Sequence, residues 1–95
     1  MATFMTRVEL HDATYMDYES LHSAMQREGF TRTILAADGN TYILPTAEYY
    51  RTAQLTKNQV LESAQRAAVM TRKRYAVIVA ETSGVTWSGL PIVNS

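Results

Sequence analysis

The stretch VELHDATYMDYESLH, Val8 to His22, holds both histidines of the chain together with Glu9, Asp12, Asp17 and Glu19. Histidine and carboxylate titrate within reach of neutrality and serve as general acids and bases. RNA is cut when a base removes the 2′-hydroxyl proton, an acid protonates the leaving 5′-oxygen and a cation steadies the charge on phosphorus. Glu9, His11 and Asp12 have the chemistry of base and acid, and Arg7 or Arg32 that of the cation. A second scheme uses carboxylates from two symmetry-related subunits to hold Mg²⁺, a hard cation that prefers oxygen. The same residues also have a purely structural reading: His11 and Asp12 fill a strand-to-helix turn, Asp17 caps the helix, and His22 lies beside its buried stripe.

Other chemistries find no support. The chain has no cysteine, which excludes a disulfide framework, a thiolate zinc site and a cysteine nucleophile. Gly29, Gly39, Gly84 and Gly89 are isolated, and none precedes the lysine-serine or lysine-threonine pair of a phosphate loop. His11 and His22 lack the i, i+4 spacing that puts two imidazoles on one helix face, so no protein metal site is expected within one chain. RYAVIVAE lacks the glycine and aromatics of an RNA-stacking sheet. Tyr49, Tyr50 and Trp87 suit base stacking or a subunit contact, and better still suit packing over the open end of a core.

Net charge is zero, which argues against strong nonspecific nucleic-acid binding, because affinity for phosphates grows with the number of cations that meet them. The charges are unevenly spread. Residues 1–50 carry Arg7, Arg27 and Arg32 against seven acidic groups, whereas residues 51–74 carry six basic groups against Glu62 alone. Any grip on RNA is therefore expected from Lys57, Arg66, Arg72, Lys73 and Arg74. Those at the end of a helix also offset its dipole.

These side chains must be positioned by a small fold. Ninety-five residues, 46% of them hydrophobic, suit one globular domain over 1–95. In TFMTRVEL, Phe4, Thr6, Val8 and Leu10 alternate with Met5, Arg7 and Glu9, the period of a strand with one apolar face. Thr14 and Asp17 then form a capping-box start for a helix over about residues 15–28, with Tyr15, Tyr18, Leu21 and Met25 as its stripe and Gly29 as its stop. FTRTILAADGNTYILP reads as a hairpin turning at Asp38-Gly39, its second strand ended by Pro45. Residues 46–55 read as a connecting loop. Thr56 and Gln59 open a second helix whose stripe is Val60, Ala64, Ala67 or Ala68, and Thr71. RYAVIVAE, apolar on both faces, reads as a central strand, and VTWSGL as a short further strand. The expected fold is α+β: a ferredoxin-like β-α-β-β-α-β unit with a four-stranded antiparallel sheet, both helices on one face, and a short C-terminal strand. The opposite sheet face, carrying Arg7 and Glu9, would be open to solvent, a ligand or a second subunit. No apolar run approaches the roughly 18–20 residues of a membrane span, and no signal-peptide pattern opens the chain. A cytoplasmic protein without membrane insertion is expected.

TRVEL ending in an acidic residue, the YESLHSAMQREGF helix, the DGNTYILPTAEY hairpin, and LTKNQVLESAQRAA leading to YAVIVAE together resemble the GhoS family. These small ferredoxin-like proteins are similar to the CRISPR-associated nuclease subunit that takes part in spacer integration. The resemblance spans about 90 residues in order and type. It implies an endoribonuclease antitoxin of a type V toxin–antitoxin pair, a hydrolase that cuts the single-stranded messenger of a small membrane-lytic toxin. In the related subunits an acidic residue ending the first strand, donated by both members of a dimer, is the metal-binding group; Glu9 holds that place here. Sequence leaves the cofactor requirement unknown. The competing expectation is a noncatalytic dimeric module whose open sheet face, with Tyr49, Tyr50 and Trp87, holds a protein or small-molecule partner.

Overall fold

Strict alternation makes the first strand the seam on which the rest of the chain packs. The computed structural model describes residues 1–93. Its elements are β1 (Ala2–Leu10), α1 (Tyr15–Arg27), β2 (Thr33–Leu35), β3 (Thr41–Ile43), β4 (Glu48–Ala53), α2 (Lys57–Val69) and β5 (Tyr75–Thr82). β1 lies between β4 and β5 and is antiparallel to both. Phe4, Thr6, Val8 and Leu10 are buried on one face, as the alternation predicts. The register places Tyr49 opposite Thr6, and Tyr75, Val77 and Val79 opposite Leu10, Val8 and Thr6, so these side chains share that face.

Both helices cover it. Leu21, Ala24 and Met25 of α1 and Val60, Ala64, Ala67 and Ala68 of α2 join Phe4, Val8, Leu10, Phe30 and Tyr49 in one core. The alanines of α2 permit close approach to the sheet. Each large apolar side chain removed from water contributes about 1.5–3 kcal/mol before chain entropy is set against it. Local signals agree with this packing. Thr14 accepts from the Asp17 N–H while the Asp17 carboxylate accepts from the Thr14 N–H, and Thr56 and Gln59 repeat the arrangement on α2. Tyr15 does not belong to the α1 stripe: it is exposed, and Ala24 takes the buried place between Leu21 and Met25.

The single four-stranded sheet expected from sequence is not formed. A three-stranded sheet, β4-β1-β5, stands beside a two-stranded one, β2-β3. Residues 46–55 are not a loop, because β4 runs through them and pairs with β1 from Ala2↔Ala53 to Arg7↔Glu48. The β2 hairpin reaches β4 through one bridge, in which Thr31 and Tyr50 exchange both backbone hydrogen bonds at 2.8 Å. Pairing goes no further because the chain turns sharply just before β4: Ala47 has φ +82° and the Glu48 N–H donates to Pro45 O. The hairpin loop is also longer than an Asp-Gly turn. Leu35 pairs with Thr41, and Asp38 accepts from the Asn40 N–H and the Tyr42 hydroxyl, each at 2.8 Å.

Two further expectations are corrected. RYAVIVAE forms β5, an edge strand rather than a central one, and its outer apolar residues Ala76, Ile78 and Ala80 remain exposed. Through Val93 the tail forms no regular strand: it runs beside β3 through a Tyr42↔Ile92 bridge, the Ile43 N–H donating to Pro91 O and the Val93 N–H to Thr41 O. Proline at 91 supplies no N–H to extend a ladder.

Candidate functional site

β1 ends where the first candidate cluster begins. Arg7 and Glu9 project onto the open sheet face, directly beside Glu48 of the neighbouring strand. Arg7 Nη2 lies 2.9 Å from Glu9 Oε2, and Arg7 Nη1 lies 2.9 Å from Glu48 Oε1. These bonds, with Glu9 first, hold the Arg7 guanidinium above its ordinary pKa. Glu9 is thus engaged by a cation. His11 follows on the turn, its backbone N–H donating to Arg74 O at 2.8 Å while its side chain is exposed. Asp12 adopts φ +52°, a left-handed conformation that aspartate tolerates, and its carboxylate stands 3.9 Å from Arg74 Nη2. No side-chain hydrogen bond joins Glu9, His11 and Asp12 to one another among the described residues. They share one rim of the molecule without forming a relay. Nor do the described residues include any group of three His, Cys, Asp or Glu side chains placed to hold a metal.

Arg32 lies elsewhere. It lines a cleft of about 410 Å³ between α1 and residues 30–33, with Glu19, His22, Ser23, Gln26, Phe30, Thr31 and Thr33. Here His22 Nδ1 meets the Tyr49 hydroxyl at 2.6 Å, and His22 Nε2 stands 3.9 Å from Glu19 Oε2. Burial and then the charge of Arg32 push the His22 imidazolium below its ordinary pKa, against the opposing pull of Glu19. Burial likewise drives the Tyr49 hydroxyl far above the usual tyrosine range, with Tyr18 and Glu19 adding to the effect and Arg32 opposing it. Tyr49 therefore remains a neutral phenol beside a predominantly neutral imidazole at pH 7. Arg32 Nε is buried without a hydrogen-bond partner. Arg32, expected as a cation beside Glu9 and His11, instead meets His22, and Tyr49, which suited either stacking or packing over the core, is completely buried. The available signal was His22 itself, a titratable side chain next to Leu21 on the buried side of α1.

The basic residues do not form one patch. Lys57 opens α2, whereas Arg66 lies about 14 Å along it at 1.5 Å per helical residue, and Arg72 to Arg74 occupy the turn after its far end. Glu28 engages Arg66 Nη2 at 3.0 Å, Asp17 approaches Lys73 Nζ at 3.6 Å, and Asp12 approaches Arg74. Arg72 is exposed at φ +62° in the turn. Arg72, Lys73 and Arg74 thus share one turn with acidic neighbours. Beside Arg66, a wider groove of about 680 Å³ runs between the helices, lined by Arg27, Glu28, Glu62, Val69 and Met70 among others.

The open face has a different character. Alternation and register put Met5, Tyr50, Ala76, Ile78 and Ala80 there, flanked by the Arg7–Glu9–Glu48 network. Trp87 stands at the edge of this face: its ring packs edge-on against Tyr42, with centroids 5.2 Å apart, and lines a cavity of about 180 Å³ with Thr3, Tyr50 and Thr82. No helix among the described residues is long and apolar enough to cross a membrane. No protein-family model and no curated protein matches the chain.

Proposed function

We propose that this chain is an endoribonuclease antitoxin of the GhoS type, built on a ferredoxin-like unit, which cuts the single-stranded messenger of a small membrane toxin in the cytoplasm. The observation that carries this reading is the placement of β1 between β4 and β5, antiparallel to both, with α1 and α2 on one face. This order supports a β-α-β-β-α-β unit, in which Thr31 beside Tyr50 stands where a fourth strand would pair. The hairpin β2-β3 is then an elaboration of the second strand.

In this reading Glu9, His11 and Asp12 supply base and acid on the rim after β1, and Arg7 supplies the cation beside them. The turn of Arg72, Lys73 and Arg74, with Arg66 and Lys57, guides the strand. The residues of one chain do not suit a metal at Glu9, because Arg7 already neutralises its carboxylate. The test is cleavage of single-stranded RNA by the wild type, Glu9→Ala and His11→Ala, with magnesium and with chelator, after folding is checked by circular dichroism. Cleavage by the wild type that a variant loses supports the reading. An inert wild type on a panel of messengers that includes the neighbouring toxin gene removes it.

One observation favours a second reading, a noncatalytic dimeric module. Ile78 is 66% exposed in the middle of an edge strand, amid Met5, Ala76 and Ala80. Exposed edge strands and apolar faces invite pairing with another chain. Light scattering at micromolar concentration separates the cases: a monomer there eliminates both this module and any site shared between subunits.

A further inference from the structure

The cleft between α1 and residues 30–33 carries more than its place in the fold requires. Its walls hold Arg32, His22, Ser23, Gln26, Thr31 and Thr33 above the ring of Phe30. The Nε of Arg32 is shielded from water and has no hydrogen-bond partner. Leaving a charged donor unsatisfied is costly, and a structure usually offers such a group a carboxylate. Here Arg32 forms no ion pair among the described residues, although Arg7 and Arg66 each do. Arg51 Nη1 is also unpartnered, but its guanidinium packs over the Phe30 ring, 5.2 Å from the centroid, which accounts for its position. No such packing accounts for Arg32.

We propose that this cleft is a binding site for a phosphate group, with Arg32 as its principal ligand, His22 as a second donor, and the Ser23 and Thr33 hydroxyls and Gln26 amide completing the set. A planar guanidinium fork matches the oxygens of a phosphate, and a charge-assisted bond of this type is among the strongest available to a small site. His22 is held in place from behind, since Nδ1 faces the Tyr49 hydroxyl and Nε2 is left on the side of Glu19. In the neutral imidazole, a Tyr49 hydroxyl donating to Nδ1 places the ring proton on Nε2, where it can be donated. Glu19 sits at the same wall and opposes an anion, so it sets the affinity from the other side. A volume of about 410 Å³ exceeds that of a bare phosphate and leaves room for a sugar or base attached to it. Binding here needs no cleavage chemistry and is independent of Glu9 and His11.

The experiment is a titration followed by amide and imidazole NMR shifts, with inorganic phosphate and a nucleoside 5′-monophosphate as probes and sodium chloride at matched ionic strength as the control. Saturable shifts are expected for residues 19–33 and Tyr49, absent with chloride. Arg32→Gln should weaken binding about tenfold or more, the scale of one lost charge-assisted hydrogen bond. Glu19→Gln should tighten it, which a cation site or a merely structural cleft would not show. If Arg32→Gln does not fold, Arg32→Lys keeps the charge without the fork and should give a smaller loss. A nucleotide binding more tightly than phosphate identifies a nucleotide or RNA phosphate as the source, and equal binding identifies the free anion. Shifts that appear equally with chloride, fail to saturate, or weaken in Glu19→Gln overturn the site.

Discussion

The Nδ1 atom of His22 lies 2.6 Å from the hydroxyl of Tyr49, with the two rings 5.7 Å apart and inclined at 57°. The bond ties the buried side of α1 to β4, two elements whose contacting side chains are 27 positions apart. Tyr49 also meets Phe30 edge-on, with centroids 6.4 Å apart. Tyr49→Phe keeps the ring and loses only the hydroxyl, so it should cost about 1 kcal/mol. Tyr49→Ala also empties the core and should cost about 3–5 kcal/mol. Urea unfolding of the three proteins measures both differences; equal losses would mean that the hydroxyl, not the ring, dominates.

His22 also makes stability depend on pH. Its folded pKa lies below the ordinary 6.5, through burial first and the charge of Arg32 second. As pH falls through 6.5, the unfolded chain takes up a proton before the folded chain does, and stability decreases until the pH reaches the folded pKa. Above 6.5 the imidazole is neutral in both states and contributes no slope. Urea midpoints measured from pH 8 down to 5 should therefore decline in the wild type, and that part of the decline should vanish in His22→Gln. Parallel curves for the two proteins would contradict the assigned burial.

What the sequence revealed follows from how local each signal is. The β1 alternation and both capping boxes act within a few residues, and Thr14 with Asp17 and Thr56 with Gln59 were legible for that reason. β4 was not legible, because Tyr49 and Tyr50 place two aromatic residues in succession and only the pairing with β1 decides that one is buried and the other faces outward. The position of RYAVIVAE depended on the same missing strand. Once β4 covers one side of β1, β5 closes the other and becomes an edge despite its composition. Arg32 and His22 lie ten positions apart with Gly29 between them, and their meeting depends on the chain reversal after α1. No spacing rule announces such a cleft.

Thr56 tests the value of a local signal. Its hydroxyl accepts from the Gln59 N–H at 3.1 Å while Gln59 Oε1 accepts from the Thr56 N–H at 2.9 Å. Two of the free donors at the start of α2 are thereby satisfied, and α2 supplies Val60, Ala64, Ala67 and Ala68 to the core. Thr56→Ala should cost about 1 kcal/mol, whereas Thr56→Ser should be close to neutral. Thermal unfolding followed by circular dichroism checks the pair. A serine variant as damaged as the alanine one would point to the lost methyl group instead of the cap.

Gly29 has a role beyond stopping α1. It adopts φ +97°, and a Cβ built there would stand 3.1 Å from the Arg51 guanidinium carbon. Arg51 in turn packs over Phe30. Gly29→Ala therefore combines backbone strain of about 1–2 kcal/mol with pressure on that stack. The guanidinium is the flexible end of a side chain and can shift, so the strain should dominate. Gly29→Ala and the double variant with Arg51→Ala should then show the same loss relative to their parents, measured as a double-mutant cycle. A much smaller loss in the Arg51→Ala background would place the cost in the contact.

Ile78 connects the edge strand to assembly. It lies opposite Arg7 on the open face and is 66% exposed, so its side chain contributes little to the core of its own chain. Lysine on an exposed edge strand discourages pairing with a second copy. Ile78→Lys should therefore change the unfolding free energy of the monomer by no more than about 0.5 kcal/mol, while abolishing any dimer that the face supports. Light scattering reads the assembly and urea unfolding at low concentration reads the fold. Loss of the dimer with the monomer's stability intact assigns the interface to this face; a dimer that survives the substitution places it elsewhere. A large loss of monomer stability would instead show that Ile78 supports the sheet through its neighbours, and the open face would then be structural.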